Sequence, residues 1–314
     1  MSEPTIGMIE QEFYTLCSTG EYAAAYQLAT RTADRFPAWA QSTIYNWRFC
    51  TACLMGDPAL ALRLIAEALD TGYWYGEADL RDDSDLAALH SIPEFERLVV
   101  LASQRRNEAV AQAKPDLKML LPANDATPYP LLLALHGNNS NIADSERYWR
   151  SAVEHGWLVA LPQSSQIMSA NHYGWNDRGW AVREITQHAA TVREQYPIDP
   201  TRVAVAGFSM GGGLAAKLAL SGDLPARGFI GVGPFLANVG SVLPLLEAPR
   251  ERPLRAYLIA SQRDAYCYSV AQELAELLPA HGIACELELH LDLGHDFPPE
   301  FERSLIKGLD FIMR

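Results

Sequence analysis

Residues 203–211 read Val-Ala-Val-Ala-Gly-Phe-Ser-Met-Gly, and no other stretch restricts the possible folds of this chain so tightly. Val203 to Ala206 is a short apolar, β-branched run, the pattern of a buried strand. Gly207-Phe208-Ser209-Met210-Gly211 follows, and then an Ala/Leu-rich helical stretch to Ser221. A serine on so sharp a strand-to-helix turn must take a strained backbone conformation, which holds its hydroxyl out of the sheet. Strand and helix approach so closely there that a Cβ at Gly207 or Gly211 would clash. The turn also leaves the Met210 N–H at a helix N-terminus, where partial positive charge can stabilise an oxyanion. The pentapeptide alone is weak evidence in a chain with 21 glycines. Its flanking strand and helix supply the specificity.

A serine hydroxyl is a poor nucleophile at neutral pH and needs a base, itself oriented by a third group. The partners are expected after later strands, acid first and histidine second. Ala256 to Ala260 reads as a strand and leads to Asp264. Cys285 to Leu291 reads as another and leads to His295, ahead of a C-terminal helix near Pro299 to Met313. Asp264 is therefore expected as the acid and His295 as the base. Asp292 and Asp296 compete with Asp264, but both lie so close to His295 along the chain that an orienting geometry is awkward. His90, His155, His172, His188, His281 and His290 lack this context and read as structural. A second oxyanion donor is expected after the strand Tyr129 to Leu135, where His136-Gly137-Asn138-Asn139 turns back. The N–H of Gly137 and that of Asn138 both fit, and His136 reads as a structural side chain.

From Leu117 to Arg314 the chain resembles the α/β-hydrolase superfamily, and within it the phospholipase/carboxylesterase and dienelactone-hydrolase-like serine esterases. The resemblance rests on Leu-His-Gly-Asn at 135–138, Leu-Pro-Gln-Ser at 161–164, and Tyr-Gly-Trp-Asn-Asp at 173–177. It continues with Tyr-Pro-Ile-Asp-Pro-Thr-Arg-Val at 196–203, Gly-Phe-Ser-Met-Gly-Gly at 207–212 and Gly-His-Asp-Phe at 294–297. It implies an α/β fold with a doubly wound, mostly parallel sheet. Gly207 to Gly213 lacks the ending of a P-loop and no credible metal-ligand cluster is written, so no cofactor and no metal are expected. The resemblance also implies Ser209, Asp264 and His295 as nucleophile, acid and base, in agreement with the reading of the residues themselves. The motifs specify a serine hydrolase and not its substrate; the activity expected is cleavage of small or medium soluble carboxylic esters through an acyl-enzyme, and thioesters, small peptides or amides could use the same machinery. Only Leu117 to Leu121 is available as a strand before residue 131, so the sheet is expected to be short on that edge.

Ahead of this lies an all-α, helical-hairpin region. Apolar residues recur at helical spacing over Ile6–Cys17, Tyr22–Phe36, Ala38–Met55, Ala59–Leu69 and Phe95–Val110. Gly20-Glu21-Tyr22-Ala23 is echoed by Gly56-Asp57-Pro58-Ala59, an offset near the roughly 34-residue period of helical-hairpin repeats. The segment loosely resembles a tetratricopeptide module of about two units; a plain helical extension is the alternative. Pro115 ends the last helix, so the expected domains are 1–113 and 114–314. The helical part could dock a protein partner, mediate self-association or cover the site. The segment Pro234–Leu254, with four prolines, is too short for a large lid. An adaptor whose hydrolase fold is inactive or incidental is the rival to an enzyme. The aromatic run Gly72 to Gly76 reads as packing at an interface.

The net charge of −13 disfavours nucleic acid and anionic membrane surfaces as partners. No run of 18 apolar residues occurs, and Met1 to Gly7 lacks the basic start and apolar core of a secretory signal. Five cysteines do not suggest a disulfide framework, so a cytoplasmic location is expected. Cys50-Thr-Ala-Cys53 lacks the second pair a zinc site needs and reads as two packed helix thiols. In the polar, aromatic stretch 164–180, Tyr173, Trp175 and Asp177 are candidates to contact substrate. Anchoring of the long loop is an equal alternative for the aromatic pair.

Overall fold

The computed structural model describes residues 6–36, 40–123, 127–247 and 253–314. The chain divides into two compact units, residues 1–113 with 167–172, and residues 114–166 with 173–314. The first boundary falls just after the last helix of the front region. The short 167–172 segment departs from a simple two-block division, because it clusters with the helical unit.

The helical unit contains α1 (Ile6–Ser18), α2 (Tyr22–Thr32), α3 (Gln41–Leu54), α4 (Pro58–Asp70), α5 (Glu77–Arg81) and α6 (Pro93–Gln112). The expected helix over 22–36 stops being α-helical at Thr32 and finishes as a 3-10 turn, Ala33–Arg35. Ala38, where the next helix was expected to start, lies outside the described residues; α3 begins at Gln41. The echoed segments adopt the same local structure. Glu21 N–H donates to Leu16 C=O at 2.8 Å, and Asp57 N–H donates to Ala52 C=O at 3.0 Å. Each is the six-residue closure of a Schellman helix end. Side chains spaced along the helices build two apolar clusters. In one, Phe13 stacks on Trp47 with centroids 4.1 Å apart. The other holds Phe49, Leu64, Ile65 and Phe95 together with Trp74 and Tyr75. The aromatic run thus packs inside the helical unit, and the Tyr75 hydroxyl donates to Ser42 C=O at 3.0 Å. Cys50 and Cys53 are buried free thiols on α3.

After the helical region the chain runs β1 (Asp116–Leu120), β2 (Tyr129–Leu135), α7 (Ile142–Trp149), α8 (Ser151–Glu154), β3 (Leu158–Gln163), β4 (Ile167–Ser169) and β5 (His172–Tyr173). It continues with α9 (Arg178–Gln195), β6 (Ile198–Phe208), α10 (Met210–Ser221), β7 (Gly228–Val232) and α11 (Leu243–Leu246). It ends with β8 (Arg255–Ser261), α12 (Ala265–Ala280), β9 (Ala284–His290) and α13 (Phe301–Met313). The short pieces β4 and β5 pair with each other, β4 and His172 falling in the 167–172 segment. The main sheet has seven strands in the order β1-β3-β2-β6-β7-β8-β9. Only β1 is antiparallel, against β3, so a single strand closes the edge expected to be short.

The central strands are buried on both faces, which is why they read as continuous apolar runs rather than alternating ones. Their alternate residues nonetheless serve different cores. Leu131, Leu133, Val203, Val205, Phe229 and Leu258 face a core filled from α9, α10 and α12. Leu132, Ala134, Ala204, Ile230, Tyr257 and Ile259 face one filled from α7 and α13, with Trp149, Phe301 and Leu305. Each fully buried Leu or Ile contributes on the order of 1.5–3 kcal/mol, so register is strongly specified: a one-residue slip would exchange the two cores. Parallel pairing in this register brings Leu135 beside Gly207, Phe208 beside Val232, and Ser261 beside His290. The loops after all these strands emerge at one end of the sheet, where an open α/β sheet forms its binding crevice.

Candidate active site

Ser209 follows β6 and caps α10, with φ 54° and ψ −121°. This is a left-handed, strained conformation for a residue with a Cβ, held by packing around it. The Ser209 N–H donates to Val232 C=O at 2.8 Å, and its carbonyl accepts from Gly213 N–H at 3.1 Å and Phe235 N–H at 2.9 Å. A Cβ on Gly207 would lie 2.3 Å from the Gly211 carbonyl, and one on Gly211 would lie 2.3 Å from the His136 carbonyl oxygen. The two glycines let the turn close. The Met210 N–H opens α10.

Asp264 and His295 leave neighbouring strands, β8 and β9, and meet. The Asp264 carboxylate accepts from His295 Nδ1. Its other oxygen caps α12, accepting from Cys267 N–H at 3.3 Å. Burial works against the charged form of this carboxyl. The hydrogen bonds from His295 and from Cys267 outweigh it and hold Asp264 below its ordinary carboxylate range. The Asp264 side chain is 11% exposed and the His295 side chain 39%, so the imidazole has an open face. The two competing aspartates are engaged elsewhere. Asp292 pairs with Arg263 at 2.8 Å, and Asp296 accepts from Phe297 N–H at 2.7 Å.

Several supports of this pair carry no motif of their own. Phe208 lies under the imidazole with centroids 4.7 Å apart, and continues into a stack with Phe297 and Tyr148. Gly233, at the end of β7, leaves room for the pair: a Cβ there would sit 3.3 Å from His295 Nδ1. The Ser261 hydroxyl donates to Leu293 C=O and ties the histidine loop to β8. Phe208 and Phe297 had a signal in the sequence, the first inside the pentapeptide and the second in Gly-His-Asp-Phe at 294–297.

Gly137 lies beside Ser209: a Cβ on it would be 3.6 Å from Ser209 Cβ and 3.0 Å from the Phe208 ring. Asn138 follows it and is exposed. The three residues expected to contact substrate have structural occupations. Trp175 is only 4% exposed, stacks on His136 with centroids 4.6 Å apart, and donates from its indole to His136 C=O at 2.9 Å. Its ring is therefore turned into the protein, which corrects the picture of a pocket wall in favour of the loop anchor. Asp177 caps α9, accepting from Trp180 N–H at 2.8 Å. Tyr173 bridges to Ser140 through its backbone, with its ring half-buried.

Among the described residues, two groups bring three metal-type donors within 4.8 Å of one another: Asp264, Cys267 and His295, and Cys50, Asp83 and Asp85. Burial pushes both thiols up from their ordinary range. No described helix is long and apolar enough to cross a membrane.

Residues 6–110 match the family model for the A/B hydrolase-like N-terminal domain. Over 101 residues the chain is 35% identical to the bifunctional acetylxylan esterase/xylanase XynS20E of Neocallimastix patriciarum, covering 31% of this chain and 14% of that protein. The chain thus spans about a seventh of that relative's length. An uncharacterized protein from Bacillus cereus has a similar crystal structure over 98% of this chain and 99% of its own, with TM-score 0.56 and 27% identity. The esterase PE8 is similar over 63% of this chain and 99% of its own, with TM-score 0.50 and 20% identity, a likeness of fold alone.

Proposed function

We propose that this chain, an α/β-hydrolase fold behind a helical N-terminal domain, is a serine hydrolase that cleaves carboxylic esters of small or medium size through an acyl-enzyme. The observations that carry the reading are a strained Ser209 at the end of β6 and, packed on the neighbouring Phe208 ring, the imidazole of a hydrogen-bonded His295–Asp264 pair from β9 and β8. The reported relative named as an acetylxylan esterase supports ester chemistry, and PE8 adds the fold.

In this mechanism His295 takes the Ser209 proton as the hydroxyl attacks the ester carbonyl. The Met210 N–H and one N–H from Gly137 or Asn138 hold the oxyanion; losing one such donor typically costs ~10²–10³ in rate. His295 then protonates the leaving alcohol and activates a water for deacylation. Asp264, anionic and fixed by its second hydrogen bond, keeps the proton on Nδ1 so that Nε2 is the free base.

Labelling with a fluorophosphonate probe tests this. Wild type is expected to label rapidly, and Ser209→Ala and His295→Ala to lose the label. A folded wild type that does not label would remove the enzyme reading and leave the adaptor one. A labelled enzyme that turns over thioesters or amides faster than esters would change the substrate class and keep the nucleophile.

A further inference from the structure

The loop beside Ser209 is held by side chains that do not reach the nucleophile. His136 is buried, and its ring bonds on both edges. Nε2 accepts from Ser164 N–H at 3.3 Å, so the proton of the neutral imidazole sits on Nδ1, which donates to Gly137 C=O at 2.7 Å. One residue back, the His136 carbonyl accepts from the Trp175 indole at 2.9 Å, while the Trp175 ring stacks on the imidazole it supports. Two successive carbonyls, at 136 and 137, are thereby pinned by a buried His–Trp pair.

A trans peptide is planar, with its C=O and N–H pointing in opposite directions. Fixing the His136 carbonyl therefore fixes the Gly137 N–H, and fixing the Gly137 carbonyl fixes the Asn138 N–H. These are the two candidate oxyanion donors, in a loop where a Cβ added to Gly137 would come 3.6 Å from Ser209 Cβ. The His136 carbonyl also lies over Gly211, where any Cβ would displace it. Preorganised donors stabilise developing charge because they need no rearrangement at the moment of reaction, so the groups that fix their planes govern their worth.

We infer that Trp175 is a positioning residue for the oxyanion hole, setting the 136–138 peptide planes through His136 without touching substrate. The inference rests on the serine hydrolase reading above. It also accounts for a long loop, Ser164 to Trp175, that begins and ends on the same histidine.

Trp175→Phe keeps a ring against His136 and removes the indole N–H. It is expected to lower both the fluorophosphonate labelling rate and kcat for p-nitrophenyl acetate about 10-fold, the scale for a slightly misplaced catalytic group. KM should stay within about twofold, as for an interaction made only in the transition state. The pH at half-maximal rate should not move, because His295 and Asp264 are untouched. Should Trp175→Phe fold poorly, site-specific replacement of Trp175 by benzothienylalanine removes the N–H with the ring shape preserved, and the same changes are expected. A variant that labels at the wild-type rate, or one that raises KM at constant kcat, would overturn the inference and leave the serine hydrolase standing. A folded wild type that fails to label would overturn both.

Discussion

Glycine serves opposite purposes in the two units of this chain. In the helical unit Gly20 and Gly56 have φ near +80°, and a Cβ on either would meet nothing within 4 Å. They are used for their backbone freedom, to end α1 and α3 in the left-handed region. In the second unit Gly207 and Gly211 are used for size: at 2.3 Å a Cβ on Gly207 would meet the Gly211 backbone in the same turn, and one on Gly211 the His136 carbonyl oxygen of a distant loop. After Met210, α10 carries Gly211, Gly212 and Gly213 in its first turn, although each glycine costs a helix about 1 kcal/mol relative to alanine. Close approach of β2, β6 and β7 to the start of α10 outweighs that local preference. Helical-unit geometry here is decided within a few residues along the chain. The geometry around Ser209 is decided between segments distant in sequence.

The contrast can be tested from its strongest consequence downward. Ser209→Ala should reduce turnover by on the order of 10⁵–10⁶ with the fold retained, as measured by steady-state kinetics and circular dichroism. Asp264→Asn should cost about 10³–10⁴ in kcat by letting His295 adopt the wrong tautomer. Gly211→Ala should destabilise by about 3 kcal/mol or more, because the methyl has no route away from the His136 and Leu135 carbonyls; denaturant unfolding reads it. Gly56→Ala, with open space around it, should cost only the left-handed backbone penalty, about 1–2 kcal/mol. Equal losses at Gly211 and Gly56 would erase the distinction between the two units.

Acid should expose a smaller difference. Asp264 is held below its ordinary range, so the stability it contributes is complete above the unfolded-chain value near 3.9. That contribution disappears as pH falls through the lower folded value. The stability gap between wild type and Asp264→Asn should therefore narrow on acidification, as read by denaturant midpoints from about pH 6 to pH 2.

Much of the architecture was legible in the sequence because burial on both faces leaves an unbroken apolar signature. Strands β2, β3, β7 and β8 lie where such runs are written, and Ser209 falls on its turn because strand, glycines and helix are contiguous. The helices α7, α9 and α12 were not anticipated, and the other elements that escaped notice are short or locally polar. β4 and β5 span three and two residues, α5 spans five, and β6 extends back through Asp199 and Pro200 to Ile198. Their positions depend on partners rather than on their own periodicity. The same holds at the site. Nothing local marks Trp175 as the partner of the His136 carbonyl, since the two are 39 residues apart.

The sequence by itself determined the class of fold, the order of the strands along the chain, and the serine on its strained turn. Each depends on side chains within one strand, one helix or one tight turn, where hydrophobic period and backbone sterics act over a few residues. Tertiary structure alone decided which of three nearby aspartates faces His295, and that Trp175 turns inward to hold a carbonyl instead of outward to meet a ligand. Those outcomes depend on how parallel strands bring distant loops to one end of the sheet. Hydrogen bonds reach only about 3 Å, so a pairing across the fold exists only after the sheet has set the distance.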